Sequence, residues 1–111
     1  MKNQAYISAP YSADNYAEIM EHVLASLEIG IDALKLGYAP IIPHVCQNHN
    51  TSWEGAMKHD LEILKTLCPL TDIVILAPGW EKSHGCVIEK QEADKRGIRV
   101  IPYYDLIGGT F

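Results

Sequence analysis

The chain has 111 residues, 48% hydrophobic and 21% charged, with a formal net charge of -5. This suits one domain with one modest core, and the lack of a basic stripe argues against a nucleic-acid polymer as partner. No apolar run reaches the ~20 residues that span a bilayer, and Met1-Lys2-Asn3-Gln4 lacks the apolar stretch of a secretion signal.

Ala5-Tyr6-Ile7-Ser8 reads as a short apolar strand that runs into a breaker, Ala9-Pro10-Tyr11. A helix follows. Tyr16, Ile19, Met20, Val23, Leu24, Leu27, Ile31 and Leu34 recur at helical spacing and predict one buried face. Asn15 and Glu18 are placed to form a capping box at its start, and Gly37 fits its stop. Tyr38 to Ile42 reads as the second strand. Pro40 removes a ladder hydrogen bond there, which predicts an edge position. Pro43 to Asn50 is a polar loop.

The next helix opens at Thr51 or Ser52, with Glu54 placed to complete a capping box with Thr51. Trp53, Met57, Leu61, Leu64 and Cys68 form its predicted inward stripe. Asp72 to Ala77 is a near-continuous apolar run, the pattern of a strand buried on both faces of a parallel sheet. Pro78-Gly79 ends it. A third helix begins near Ser83 and stops at Gly97, with Cys86, Ala93 and Gly97 aligned for close packing. Ile98 to Pro102 is the last strand. The tail from Tyr103 to Phe111 carries three aromatics and two glycines.

Strands alternating with helices imply right-handed crossovers. The expected architecture is a flavodoxin/Rossmann-like three-layer α/β fold with a small, mainly parallel sheet of order 2-1-3-4. The whole chain, 1–111, is expected to form this one domain. Ligands of such sheets bind beyond the C-terminal strand ends, at the switch point. Four segments converge there: Ser8 to Tyr11, Pro43 to His49, Pro78 to Gly85, and Pro102 to Tyr104.

Two acids stand out against this frame. At 100° per residue Asp60 lies about 20° from Trp53, within the apolar stripe. A carboxylate there is expensive unless it is paired or functional. Glu89 flanks the small-residue face of the third helix. Its local sequence alone favours a solvated acid among Lys90, Glu92, Asp94 and Lys95. A strand end followed by Gly79, Trp80, Ser83, His84 and Gly85 makes a candidate anion cradle at a helix start. Ser83 also reads as an ordinary N-cap. His44, Cys46 and His49 form an H-x-C-x-x-H cluster. No second pair completes it, so a polar, ligand-facing loop is expected rather than a metal site. The three cysteines, Cys46, Cys68 and Cys86, are not a disulfide framework, which fits a reducing cytoplasm. Cys68 and Cys86 are expected to be inert core.

Taken together, these motifs resemble the nucleoside 2-deoxyribosyltransferase-like superfamily, which includes deoxynucleoside 5'-monophosphate N-glycosidases. The resemblance runs from Ala5 to about Pro102. It is carried by Ala5-Tyr6-Ile7-Ser8-Ala9-Pro10-Tyr11, Pro43-His44-Val45, His59-Asp60-Leu61-Glu62-Ile63-Leu64, Thr71-Asp72-Ile73-Val74-Ile75-Leu76 and Ser83-His84-Gly85-Cys86-Val87-Ile88-Glu89, with Ala93 and Gly97 after it. It implies that Glu89 is the nucleophile. Asp60 then assists at the leaving base, and Tyr6 holds the nucleophile. Ser8, Pro10, Tyr11, His44, Gly79, Trp80, Ser83 and Gly85 would contact substrate. Ser83 and His44 resemble the monophosphate branch. The loop Tyr11-Ser12-Ala13 departs from that branch because it has no arginine.

The implied reaction is cleavage or transfer at the N-glycosidic bond of a nucleotide or nucleoside through a glycosyl-Glu89 intermediate, with no cofactor. The alternative is non-catalytic binding of a nucleotide-derived small molecule in the same cleft. The resemblance also implies a homodimer or larger homo-oligomer. Tyr103, Tyr104, Phe111, Trp53 and Trp80 are candidate interface aromatics, and Trp80 serves equally for ligand stacking.

Overall fold

The computed structural model describes residues 3–10, 15–43 and 52–108. Four strands, β1 (Asn3–Ser8), β2 (Tyr38–Ile41), β3 (Ile73–Leu76) and β4 (Arg99–Pro102), form one sheet in the order β2-β1-β3-β4. Every pairing is parallel. Among the described residues the helices are α1 (Tyr16–Lys35), α2 (Trp53–Leu64), α3 (His84–Lys95) and a short α4 (Tyr103–Gly108), with a 3-10 turn at Trp80–Lys82. This is the expected α/β architecture, and its strand order is the expected one. The edge strands β2 and β4 carry Pro40 and Pro102, where a missing N–H does least harm.

The pleat divides the core in two. Ala5, Ile7, Ile73 and Ile75 face one way and pack with Ile29 and Ala33 of α1. Tyr6, Val74 and Leu76 face the other way and pack with Leu64 and Ala93, on the side of α2 and α3. Asn15 caps α1 by accepting from the Glu18 N–H at 2.9 Å. Ser52 caps α2 by accepting from the Gly55 N–H at 3.1 Å. Thr51, the other candidate cap, lies outside the described residues. Gly37 and Gly97 follow α1 and α3 with φ of 94° and 73°, a left-handed conformation that glycine adopts without steric penalty.

The expected inward face of α1 is corrected. Its buried residues are Ser26, Ile29, Gly30 and Ala33, whereas Tyr16, Leu24, Leu27, Ile31 and Leu34 are exposed. Close approach is the reason. A Cβ placed on Gly30 would sit 2.7 Å from Ile42 Cδ1. Small residues therefore face the sheet, and the stripe of large residues is rotated aside. Cys68 is likewise not on a packing face: α2 ends at Leu64, and the Cys68 side chain is exposed. The tail forms α4, anchored where the Tyr103 hydroxyl donates to Asp32 Oδ2 at 2.6 Å. Among the described residues no helix is long and apolar enough to cross a membrane.

Candidate functional site

Residues two apart on a strand share a face. Tyr6 and Ser8 are such a pair near the C-terminal end of β1, and both point at α3. The buried residues of α3 are Cys86, Glu89 and Ala93, spaced to lie on one helix face. The Tyr6 hydroxyl donates a short hydrogen bond to Glu89 Oε2. The Ser8 hydroxyl donates to Glu89 Oε1 at 2.7 Å. Both carboxylate oxygens of Glu89 are thus held by strand one. Asp60 comes from α2, buried in line with Met57 and Leu64, and it meets Glu89 through both charge and a hydrogen bond. Each of these two acids is only 5% exposed. His59 Nδ1 lies 3.6 Å from Asp60 Oδ1.

Burial dominates the electrostatics. It pushes the Glu89 carboxyl up to about 8, the Tyr6 and Ser8 hydrogen bonds pull it back, and the neighbouring Asp60 raises it. Burial, followed by the Glu89 charge, raises the Tyr6 phenol far above its ordinary value, so it stays a donor. Two buried carboxyls in contact disfavour double ionisation, which favours retention of a proton by the pair. Burial also raises the Cys86 thiol. This keeps it in the inert thiol form, as expected for a core cysteine.

The pair opens on a cleft of about 300 Å³, at the small end of the range for ligand sites. Pro10 and Gly79 line it where β1 and β3 end, and Lys82, Ser83, His84 and Gly85 line it at the start of α3. The first N–H groups of a helix have no intrahelical acceptor, so this wall carries donors as well as the Lys82 charge. Ser83 Oγ accepts from the Cys86 N–H at 3.3 Å, which makes it the N-cap of α3. Trp53, at the start of α2, stacks on His84 with ring centroids 5.3 Å apart and planes 15° apart. That stack joins the two helices beside the cleft.

Of the residues singled out from the sequence, Tyr6, Asp60 and Glu89 form one cluster. Pro10, Gly79, Ser83 and Gly85 line its cleft. Two others lie outside that lining. Ser8 is buried and its hydroxyl donates to Glu89. Trp80 opens the 3-10 turn and packs against the core cluster of Tyr6, Leu64 and Val74, away from the cleft lining. Tyr11 and His44 lie outside the described residues, as do Cys46 and His49. Sequence reading missed Lys82, which precedes Ser83, and it placed Trp53 on an inward stripe instead of the cleft wall. A cation just before a helix N-cap was the available signal.

Comparison with curated proteins returns no match. Residues 3–102 match the model of a family described as a domain of unknown function, DUF4406. That span takes in the whole sheet and every side chain of the cleft. The chain belongs to the DUF4406 family.

Proposed function

We propose that this protein cleaves the N-glycosidic bond of a (deoxy)nucleoside monophosphate, with Glu89 as nucleophile, in the manner of the nucleoside 2-deoxyribosyltransferase-like superfamily. One observation carries the reading. Glu89 is gripped at one oxygen by Tyr6 and at the other by Ser8, touches a second buried carboxyl, Asp60, and lines an open cleft. Burying two acids together disfavours the folded state, and the arrangement supplies a nucleophile and a proton donor side by side.

Glu89 attacks C1' of the sugar while the C1'–N bond breaks through an oxocarbenium-like state. The electron pair of that bond leaves on the base nitrogen, and Asp60 gives the base a proton. Water, deprotonated by the resulting Asp60 carboxylate, then attacks C1' of the glycosyl ester and frees Glu89. A second base in place of water gives transfer. The hydroxyls of Tyr6 and Ser8 favour negative charge on Glu89 and so favour the proton on Asp60. The anion of the substrate fits the wall formed by Lys82, Ser83 and the first turn of α3. Lys82 supplies a cation that the loop after β1 does not. The exposed free thiol of Cys68 suits a cytoplasmic setting.

The test is a panel of nucleosides, nucleoside and deoxynucleoside monophosphates and dinucleotides, with free base read by chromatography. Wild type releases base from a monophosphate, and Glu89→Gln slows that release by about 10³-fold or more with an unchanged circular-dichroism spectrum. A monophosphate that binds and is recovered intact after long incubation would overturn the catalytic reading in favour of a binding module. Binding of none of the compounds would overturn both.

A further inference from the structure

The cleft beside Glu89 has two unlike walls. One is the start of α3, with Lys82 and Ser83 just before it. The other is α2, which contributes Trp53, Ala56, Met57 and Asp60. These four positions recur at helical spacing and share one face of the helix. Asp60 lies at the deep end, 5% exposed. Trp53 lies two turns earlier, about 10 Å along the axis, and is 42% exposed. Between them stand a methyl group, Ala56, and a thioether, Met57. Neither donates a hydrogen bond, and a thioether is at best a weak acceptor.

Two contacts fix this wall against α3. The Trp53 indole stacks on the His84 ring, with planes 15° apart. One turn deeper, a Cβ placed on Gly85 would lie 3.2 Å from Met57 Sδ. The helices therefore approach closely at a residue without a side chain. An aromatic and apolar surface that is already held in place can receive a planar ring at little ordering cost.

We propose that this wall is a shelf for the base of the substrate, and that it selects purines over pyrimidines by ring area. The inference rests on the proposed function in one respect, that a nucleoside monophosphate enters with C1' at Glu89. Its placement then follows from the two walls. The anion takes the Lys82 side, the sugar lies over Glu89, and α2 is the surface left for the base, whose ring nitrogen meets Asp60. A pyrimidine set there covers Met57 and ends near Ala56. The fused rings of a purine carry the same plane on to the Trp53 indole. Stacking a base on an aromatic side chain changes affinity by about tenfold or more, and Met57 adds a sulfur–aromatic contact. Ala56 and Met57 do not read the hydrogen-bonding edge of a base, so adenine and guanine are held alike.

Binding to Glu89→Gln, which keeps the ligand intact, tests this. The probes are the 5'-monophosphates of deoxyadenosine, deoxyguanosine, deoxycytidine and thymidine, with deoxyribose 5-phosphate as the probe that has no base. The chain has two tryptophans, and Trp80 packs on the core cluster, so a base on the shelf is read as quenching of Trp53 emission. The two purine nucleotides should bind alike, about tenfold more tightly than the two pyrimidine nucleotides, and should quench. Adding Trp53→Ala should abolish the quench and weaken purine binding about tenfold, with deoxyribose 5-phosphate affinity and the circular-dichroism spectrum unchanged. Trp53→Phe, which keeps a smaller ring, should retain part of the preference. Trp80→Phe should keep the quench. Equal affinity for purine and pyrimidine nucleotides, or a purine preference that survives Trp53→Ala, would overturn the shelf, and base release by the wild type would still uphold the glycosidase. A purine preference that depends on Trp53, with no base released by the wild type, would uphold the shelf and overturn the glycosidase. Binding of no monophosphate would overturn both.

Discussion

The two ends of the parallel sheet treat buried carboxylates differently. At the amino end, Asp72 stands just before β3. Its Oδ1 accepts from the Gln4 N–H at 2.8 Å, and its Oδ2 accepts from the Cys68 N–H at 2.7 Å. Both oxygens are engaged by backbone, and the acid ties the start of β1 to the loop after α2. At the carboxyl end, Glu89 is held by two side-chain hydroxyls and Asp60 presses against it, beside an open cleft. Burial therefore does not mark a functional acid, since Asp72 is 7% exposed and Glu89 5%. What separates them is what each carboxylate meets. Backbone donors make a structural clamp. A second acid and an opening to solvent keep a proton and a negative charge together where a ligand can reach them.

Substitutions that exchange the expected behaviour of the two ends sharpen this contrast. The largest effect on folding belongs to the amino end. Asp72→Ala strands two partly buried N–H groups and should destabilise by about 2–4 kcal/mol, read as a shift of the urea midpoint, while base release per folded molecule is unchanged. At the carboxyl end the sign is opposite. Burial and mutual contact let the Glu89–Asp60 pair keep a proton up to about 8 in the folded protein, against an ordinary carboxyl value of 4.5. Between those values the folded state binds more protons than the unfolded one, so wild-type stability falls as pH rises through this window. Glu89→Gln escapes that loss. Its melting temperature should pull ahead of wild type from pH 5 to pH 8, and the gap should close in acid.

Tyr6→Phe comes next. It leaves Ser8 as the one hydroxyl donating to Glu89, which should destabilise by about 1–2 kcal/mol. It should also lower kcat by about ten- to a hundredfold with little change in KM. Wild-type kcat/KM should fall as pH rises through about 8, where the pair loses the proton that Asp60 delivers, and Tyr6→Phe should move that fall to higher pH, because a donor favouring the anion is gone. A merely structural Tyr6 would leave the profile in place. The smallest effect is expected at the cleft mouth. Lys82→Ala should raise KM for a monophosphate by about tenfold without touching KM for the matching nucleoside, since an exposed charge contributes on the order of 1 kcal/mol.

The fold was legible because its signals were local and redundant. The Ile73-Val74-Ile75-Leu76 run, the prolines of β2 and β4 and the glycines after α1 and α3 each specified an element, an edge or a stop. The strand order followed from the alternation itself. Asp60 was legible because an acid interrupts an apolar stripe. Glu89 was not, since its helix is charged on most sides, and only Tyr6 and Ser8, more than eighty residues away in sequence, reveal why it is buried. The packing face of α1 was misread for a related reason. Periodicity shows that a helix has an apolar side, but Gly30 sitting against Ile42 decides which side meets the sheet. Asp72 escaped notice because backbone donors leave no side-chain pattern. Trp80 and Trp53 exchanged expected roles because the packing of a 3-10 turn and the stacking of Trp53 on His84 depend on tertiary contacts.

The central claim is that Glu89 becomes covalently bonded to the sugar. It is tested most directly by incubating the protein with a deoxynucleoside monophosphate, quenching in acid and measuring the masses of its peptides. The account predicts a peptide containing Glu89 that is heavier by one phosphorylated deoxyribosyl group, absent from Glu89→Gln. Base released at full rate by Glu89→Gln, with no adduct on that peptide in the wild type, would contradict it.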